Sequence, residues 1–435
     1  MGTAYTNLTI PVGDTNISAS IPNVKGIIGP AHIPGVKDMR AEVRRAIRNP
    51  VESMRLRDIA RGKKTAGIVI NDITRPYQGR LLVEEIALEL AEAGLKDEQI
   101  FLVVAYGYHR PDTDSELRSV LGDSIIQRFQ IVHHDAADKM RLVTLGRTEG
   151  GVEVEINKEF SEAEVKILTG CIAPHQLAGY SGGRKSVLPG IAGIKSLKNH
   201  HSFPIRPKVS SMGWLQGNPF HEESLAAAYI AGIDFIVNTV ENPERELVAC
   251  VAGELNAAHL AGVEICAKIW TVPVAGKADV VIVSPGGYPR DFDLHQSQKA
   301  IGCAEMLCRE GGQIILVAEA RDGIGKFGGV VMNAKNPQEI IDRFVQFGFS
   351  PEGVSKAYMW ARAVKDFKVS IACSKIDKKE LERMFVEGFD TLDEAIGAAL
   401  ERYGKEASFF VIPHASEIIP VLSSPSALIG DMVLS

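Results

Sequence analysis

The stretch AGIVINDITRPYQGRLLVEEIALELAEAGLKDEQIFLVVAYGYH, residues 66–109, reads as a strand, a helix and a second strand in that order. Ala66 to Asp72 is an apolar run of strand length. From Gly79 to Gly94, Leu82, Ile86, Leu90 and Ala93 recur at helical spacing. Ile100 to His109 then repeats the strand signal, and Asp114 is positioned to cap the helix that follows. Apolar runs alternating with helical periods mark an α/β fold with a parallel-type sheet. Working outward, Glu164–His175 is a third run of this kind, and Arg141–Phe160 reads as short strands forming a hairpin around Gly150-Gly151.

A chain of 435 residues with 45% hydrophobic content exceeds one ordinary core, so two α/β domains are expected. The composition changes near Val272–Lys277. This boundary predicts an N-terminal catalytic and cofactor-binding domain over 1–272, to which 424–435 returns, and a C-terminal α/β domain over 273–423. In the latter, Ala278–Gly287, Gln313–Ala320 and Ala407–Ala415 read as strands, with a helix running to about Arg309.

The formal charge of -6 is small, and Lys and Arg form no basic stripe interleaved with aromatics, so nucleic acid is not an expected partner. No apolar stretch reaches the ~20 residues that span a bilayer, and no membrane partner is expected. Six cysteines without a Cys-x-x-Cys pair argue against a disulfide framework and suit a reducing cytoplasm.

Chemistry-bearing residues gather where strands end, the place at which ligands collect in open α/β sheets. Asp72 and Arg75 follow the Ala66 strand, and Arg75 offers a planar fork to a carboxylate. A surface turn held by the Asp side chain and Pro76 is the plain alternative. His109 follows the Ile100 strand and His175 the Glu164 strand; imidazole suits proton transfer near neutrality. Two histidines on adjacent strand ends are able to flank one substrate from opposite faces.

Gly179-Tyr180-Ser181-Gly182-Gly183-Arg184-Lys185 resembles a phosphate loop in composition but lacks the Walker spacing. Lys185 is a charge for a phosphate or, if desolvated, a nucleophile. His200-His201 closes a helical segment, and only one of two adjacent helical histidines can face a metal. His133-His134 lies in a polar stretch and is assigned to the surface. In the second domain, Gln296 and Lys299 share one helix face at i, i+3 after Gly286-Gly287-Tyr288-Pro289, a pair suited to a carboxylate and a carbonyl or hydroxyl.

Five islands occur in order: Asp72-x-Thr74-Arg75-Pro76; Gly107-x-His109-Arg110-Pro111; Pro174-His175 with Ser181-Gly182-Gly183-x-Lys185 and Pro189-Gly190; Gly217-Asn218-Pro219; and Gly286-Gly287-Tyr288-Pro289 with Gln296 and Lys299. This ordered set resembles the nickel-pincer lactate racemase family. The resemblance implies a two-domain protein with its active site in the interdomain cleft. It also implies a nickel-pincer nucleotide, a pyridinium-3,5-bisthiocarboxylic acid mononucleotide carrying nickel, supplied by cofactor-biosynthesis proteins. The residue that bonds this cofactor would be Lys185, with Ser181, Gly182 and Gly183 around it; the nickel ligand would be His201, with His200 as fallback.

The implied reaction is inversion of C2 of a 2-hydroxy acid by hydride transfer through a 2-oxo acid. Arg75 and Lys299 would hold the carboxylate, and His109 and His175 would move the hydroxyl proton. Asp72 would orient a histidine or Arg75, and Gln296 would bind the substrate or a catalytic residue. Where lactate racemases tend to carry Tyr before the Gln, this chain has His295, which points to a larger or more polar acid than lactate. Two other readings remain: a zinc hydrolase or lyase using His109, His175 and His201 as ligands, and a non-catalytic binder of a mononucleotide or hydroxy acid.

Overall fold

The computed structural model describes residues 5–74, 77–203, 211–349 and 353–423. Arg75, Pro76 and the 424–435 stretch expected to return to the first domain lie outside the described residues. The chain forms two compact units; among the described residues, one contains 32–203 and 213–269, and the other 5–31, 211–212 and 270–423.

The 32–269 unit is built on a six-stranded sheet ordered Leu247–Gly253, Phe235–Glu241, Val165–Cys171, Ala66–Asn71, Ile100–Ala105 and Gln130–His133. All neighbours are parallel except the antiparallel pair at the Leu247 edge. In chain order this is 3-2-1-4-5-6, and the direction of winding reverses between the Ala66 and Val165 strands. Such a reversal opens a crevice at the carboxyl ends of those two strands.

The strands read as unbroken apolar runs because both sheet faces are covered. On one face Ile68, Ile70, Leu102 and Val104 meet Leu82, Val83, Ile86 and Leu90 of the Gly79–Glu92 helix. On the other, Val69, Val103, Leu168 and Ile236 meet Val187, Leu188, Ile191, Ala227 and Ala228. Burying side chains of this size contributes roughly 1.5–3 kcal/mol each. Leu142–Arg147 and Glu153–Asn157 form the antiparallel hairpin expected between Arg141 and Phe160.

The other unit also carries a six-stranded sheet, ordered Glu387–Phe389, Lys368–Ala372, Cys308–Val317, Ala278–Val283, Phe409–Ile412 and Val24–Ile27, parallel throughout. Residues 5–31, expected in the first domain, belong here. Val24–Ile27 adds the edge strand beside Phe409–Ile412. The hairpin Tyr5–Val12/Thr15–Pro22 buries Ile10, Val12, Ala19 and Ile21 against Val280, Ile282 and Phe409. Its alternating pattern shows that one face is buried but not which sheet receives it. Among the described residues no helix is long and apolar enough to cross a membrane.

Two local expectations change. The helix after Pro111 begins at Asp114, but its cap is Thr113, whose hydroxyl accepts the Glu116 N–H while the Glu116 carboxylate accepts the Thr113 N–H. The reciprocal pairing satisfies two N–H groups, which Asp114 alone would not do. His134, assigned to the surface, is buried and donates Nε2–H to the Ala192 carbonyl at 3.1 Å, while its neighbour His133 stays exposed. His133 is the last residue of the Gln130–His133 strand, and His134, the next residue, turns to the opposite side, where Ala192 receives it.

Burial pushes His134 down to about 4 from an ordinary 6.5. Between those values the unfolded chain binds a proton that the folded chain refuses, so stability falls as pH drops from about 6.5 toward 4. The contribution is on the order of 3 kcal/mol. We expect thermal melts to show a shallower loss over this window in His134→Gln than in wild type; parallel pH profiles would contradict the assignment.

Candidate active site

Three adjacent strands, Val165–Cys171, Ala66–Asn71 and Ile100–Ala105, deliver three chain segments to one edge of the sheet. Asp72 follows the central strand directly and is 2% exposed. Its Oδ2 lies 2.6 Å from His109 Nδ1, and its Oδ1 accepts the Thr74 hydroxyl at 2.7 Å. A carboxylate only accepts, so His109 Nδ1 carries the proton and Nε2 carries the lone pair. This is the arrangement by which a buried acid orients a catalytic imidazole. Arg75, the other partner expected for Asp72, lies outside the described residues.

The turn bearing Asp72 is anchored from below. The Asn71 N–H donates to the Tyr77 phenol oxygen at 3.2 Å, and that phenol lies 3.0 Å from Thr169 Oγ1. Burial pushes the Tyr77 phenol up to about 12, so it remains protonated at neutral pH. The turn bearing His109 is fixed by Gly107, whose N–H donates to the Gly190 carbonyl at 2.8 Å. Gly107 has φ +56°, and a Cβ there would meet the Pro189 carbonyl oxygen at 3.3 Å. Glycine is what allows the close approach.

His175 sits in a short antiparallel pairing of Pro174–His175 with Gly179–Tyr180. Its Nδ1 accepts the N–H groups of Leu177 at 3.2 Å and Ala178 at 3.1 Å, which places its proton on Nε2. The two histidines therefore rest as opposite tautomers.

The glycine-rich loop is packed into the fold. Ser181 Oγ donates to the Cys171 carbonyl, and the N–H groups of Ser181, Gly183 and Lys185 go to Ala173 O, Asn238 Oδ1 and Gly182 O. Those three N–H groups are thus committed internally rather than turned toward an anion. Gly182, at φ +77°, packs so tightly that a Cβ would come within 2.8 Å of Ile172 and 2.9 Å of Asn238. Arg184 is buried, donating to the Ala178 and Gly182 carbonyls and to His259 Nε2 at 2.7 Å.

Lys185, next in the chain, is half-buried, and its ammonium is close enough to help depress His201. Burial, then Lys185, push His201 down to about 4, leaving it neutral at ordinary pH. His201 Nδ1–H donates to the Leu197 carbonyl at 3.1 Å, which leaves the lone pair on Nε2. A neutral imidazole oriented by a backbone carbonyl is the usual state of a metal-ligating histidine. His200 is buried and directs Nε2 at the Phe220 carbonyl at 2.9 Å and Ser224 Oγ at 3.0 Å, a packing role. Among the described residues no three His, Cys, Asp or Glu side chains converge as a metal site, so a three-histidine zinc centre lacks its donor set. A single histidine beside a lysine instead suits a metal whose other ligands come from a bound organic group.

In the other unit, the Leu294–Leu307 helix is capped by Asp293, which accepts the Gln296 N–H at 2.6 Å. His295, Gln296 and Lys299 are half-buried. His295 packs edge-on to Phe327 with ring centroids 5.8 Å apart. Burial raises the Asp293 carboxyl, opposed by the Gln296 N–H and the Lys356 and Lys299 ammonium groups. Tyr77, Asp112, Arg184 and His259 were not singled out from sequence; only the position of Asp112, three residues after His109, offered a signal.

A doubly wound sheet with an Asp–His dyad at its strand ends, and a Lys–His pair on the turn and helix that follow the neighbouring strand, defines an α/β protein equipped for proton transfer. The lactate racemase N-terminal domain family matches residues 12–213, and the lactate racemase C-terminal domain family matches 274–420. The lactate racemase of Thermoanaerobacterium thermosaccharolyticum is 33% identical over 426 residues, 95% of this chain and 99% of that protein. That of Lactiplantibacillus plantarum is 35% identical over 384 residues, 87% of this chain and 90% of its own. The solved lactate racemase apoprotein from T. thermosaccharolyticum superposes with a TM-score of 0.87 over 96% of this chain and all of that one. A Thermotoga maritima protein at 17% identity and TM-score 0.63 shares the fold. The chain belongs to the lactate racemase family, and is an isomerase of the racemase type.

Long-range proton–nitrogen correlation spectra of the apoprotein should show His109 protonated at Nδ1 and His175 at Nε2. The same tautomer at both positions would refute the assignment.

Proposed function

We propose that this enzyme inverts C2 of a 2-hydroxy acid, with lactate or a larger, more polar acid as substrate. The observation that carries the reading is the buried Asp72 carboxylate 2.6 Å from His109, on the strand next to the one leading to His175, Lys185 and His201. His109 is 46% exposed, so its Nε2 lone pair is reachable by a substrate hydroxyl.

The cofactor of this reading is a nickel-pincer pyridinium mononucleotide. Lys185 would bond it through its amine, His201 Nε2 would ligate the nickel, and the Ser181–Gly183 turn would pack beside it. When bound, this group supplies the acceptor and donor of the C2 hydrogen with its electron pair. His109 takes the hydroxyl proton, and the imidazolium that forms is stabilised by Asp72. His175 presents Nε2–H to the substrate oxygen from its own strand end. As the family resemblance implies, Arg75 and Lys299 would hold the substrate carboxylate, and Gln296 would bind the substrate or a catalytic residue. His295, carried one residue before Gln296, is the candidate selector of the substrate side chain. Removing the C2 hydrogen as a proton would set a second negative charge beside the carboxylate, whereas departure with its electrons avoids that charge. A cytoplasmic location and dependence on cofactor-biosynthesis proteins complete the proposal.

Protein produced with the cofactor pathway should interconvert the enantiomers of one member of a panel of lactate, malate, 2-hydroxyglutarate, phenyllactate and gluconate. In deuterated water the product should carry no deuterium at C2. Complete C2 labelling would instead indicate proton abstraction, and protein lacking the pathway should be folded and inactive. His109→Gln should lower kcat/KM by roughly 10²–10⁴, the usual contribution of a general base; a smaller loss would remove His109 from the proton transfer.

A further inference from the structure

The dyad is carried by two separate turns, and only some of their contacts involve the dyad itself. Asp112, three residues beyond His109, is 8% exposed, and its carboxylate accepts the Ile73 N–H with both oxygens, at 3.3 and 3.2 Å. Ile73 N–H shares a peptide plane with the Asp72 carbonyl. Holding that plane fixes the backbone torsion of Asp72 and therefore the direction of its side chain. The His109 turn thus reaches back to set the acid that orients it.

A neutral acceptor would make the same bond at lower cost. Asp112 is held above the ordinary carboxylate range first by burial and also by the charge of Asp72, with the Ile73 N–H and Arg110 opposing and Glu116 adding to the repulsion. Tyr106, itself buried, senses both Asp112 and Asp72. Two acids are kept in one desolvated corner, and the fold gains from the second only its grip on Ile73 within the described contacts.

We propose that Asp112 is a positioning residue of this enzyme, acting through the Ile73 N–H to hold the Asp72 carboxylate against His109. The inference rests on His109 being the proton acceptor of the proposed reaction. Misplacing a catalytic group by about 1 Å costs on the order of 10²-fold in rate. Asp112→Ala should therefore lower kcat by about ten- to hundred-fold with KM within about two-fold. In the apoprotein the low-field Nδ1 proton of His109, deshielded by its short bond to a carboxylate, should disappear.

Asp112→Asn keeps an acceptor for Ile73 and removes the repulsion from Asp72. It should retain the low-field proton, keep kcat within about three-fold and raise the melting temperature. Should the Ala variant fail to fold, Asp112→Ser, polar but too short to reach Ile73, serves in its place with the same expected losses. An unchanged low-field proton and kcat in the Ala or Ser variant would overturn the proposal. So would an Asn variant that melts normally yet loses both. If loaded wild-type enzyme racemises no hydroxy acid, the functional reading fails, whereas the proton resonance still judges Asp112 by itself.

Discussion

The Ala66–Asn71 strand is buried on both faces and hydrogen-bonded on both sides, and this constraint organises the 32–269 unit. Val69 commits one face and Ile68 with Ile70 the other, so the strand can neither slip by one residue nor shift toward an edge. Its carboxyl end is consequently the most firmly located point in the unit. Asp72 is the first residue past it, and chains from the two flanking strands arrive beside it carrying His109 on one side and His175 with Lys185 on the other. Positions on a rigid sheet hold a catalytic geometry better than loops alone.

What was legible in the sequence follows the same logic. The Ala66, Ile100 and Ala278 strands and the helix bearing Leu82, Ile86 and Leu90 announce themselves because burial on a fixed period leaves a mark on composition. Asp72, His109 and His175 were legible because each follows a strand-length apolar run, and Lys185 because it closes a glycine-rich loop. Interactions between distant residues leave no such mark. The burial of His134 depends on Ala192, the packing role of His200 on Phe220 and Ser224, and the partner of Val24–Ile27 on a strand nearly four hundred residues away. Asp112 escaped notice for the same reason, its partner Ile73 being an ordinary aliphatic residue whose backbone alone is used.

Arg184 shows how the lysine beside it comes to be placed. Its guanidinium is buried with no carboxylate paired to it among the described residues, and desolvation lowers it to about 9, so it remains charged at neutral pH. Carbonyls of its own loop and the neutral His259 compensate it. Burying a cation on carbonyl dipoles is expensive unless the geometry is tight. The glycines supply that tightness, since side chains at Gly182 or Gly183 would collide with Ile172, Asn238 or His259. With Arg184 directed inward, the next residue, Lys185, lies near His201. The glycine-rich composition that resembled a phosphate cradle thus serves first to bury an arginine.

The pairing of Val24–Ile27 with Phe409–Ile412 also has a bearing on how the polypeptide is made. During synthesis from the amino end, the edge strand leaves the ribosome long before its sheet neighbour exists. The whole 32–269 unit can close in the interval, since domains generally fold as units as they emerge. Until Val280 and Ile282 emerge, the Tyr5–Pro22 hairpin carries Ile10 and Ile21 with none of their core partners yet made. The apolar face of the hairpin therefore stays uncovered while the 32–269 unit is being made, and this edge of the sheet closes only once Phe409–Ile412 has emerged.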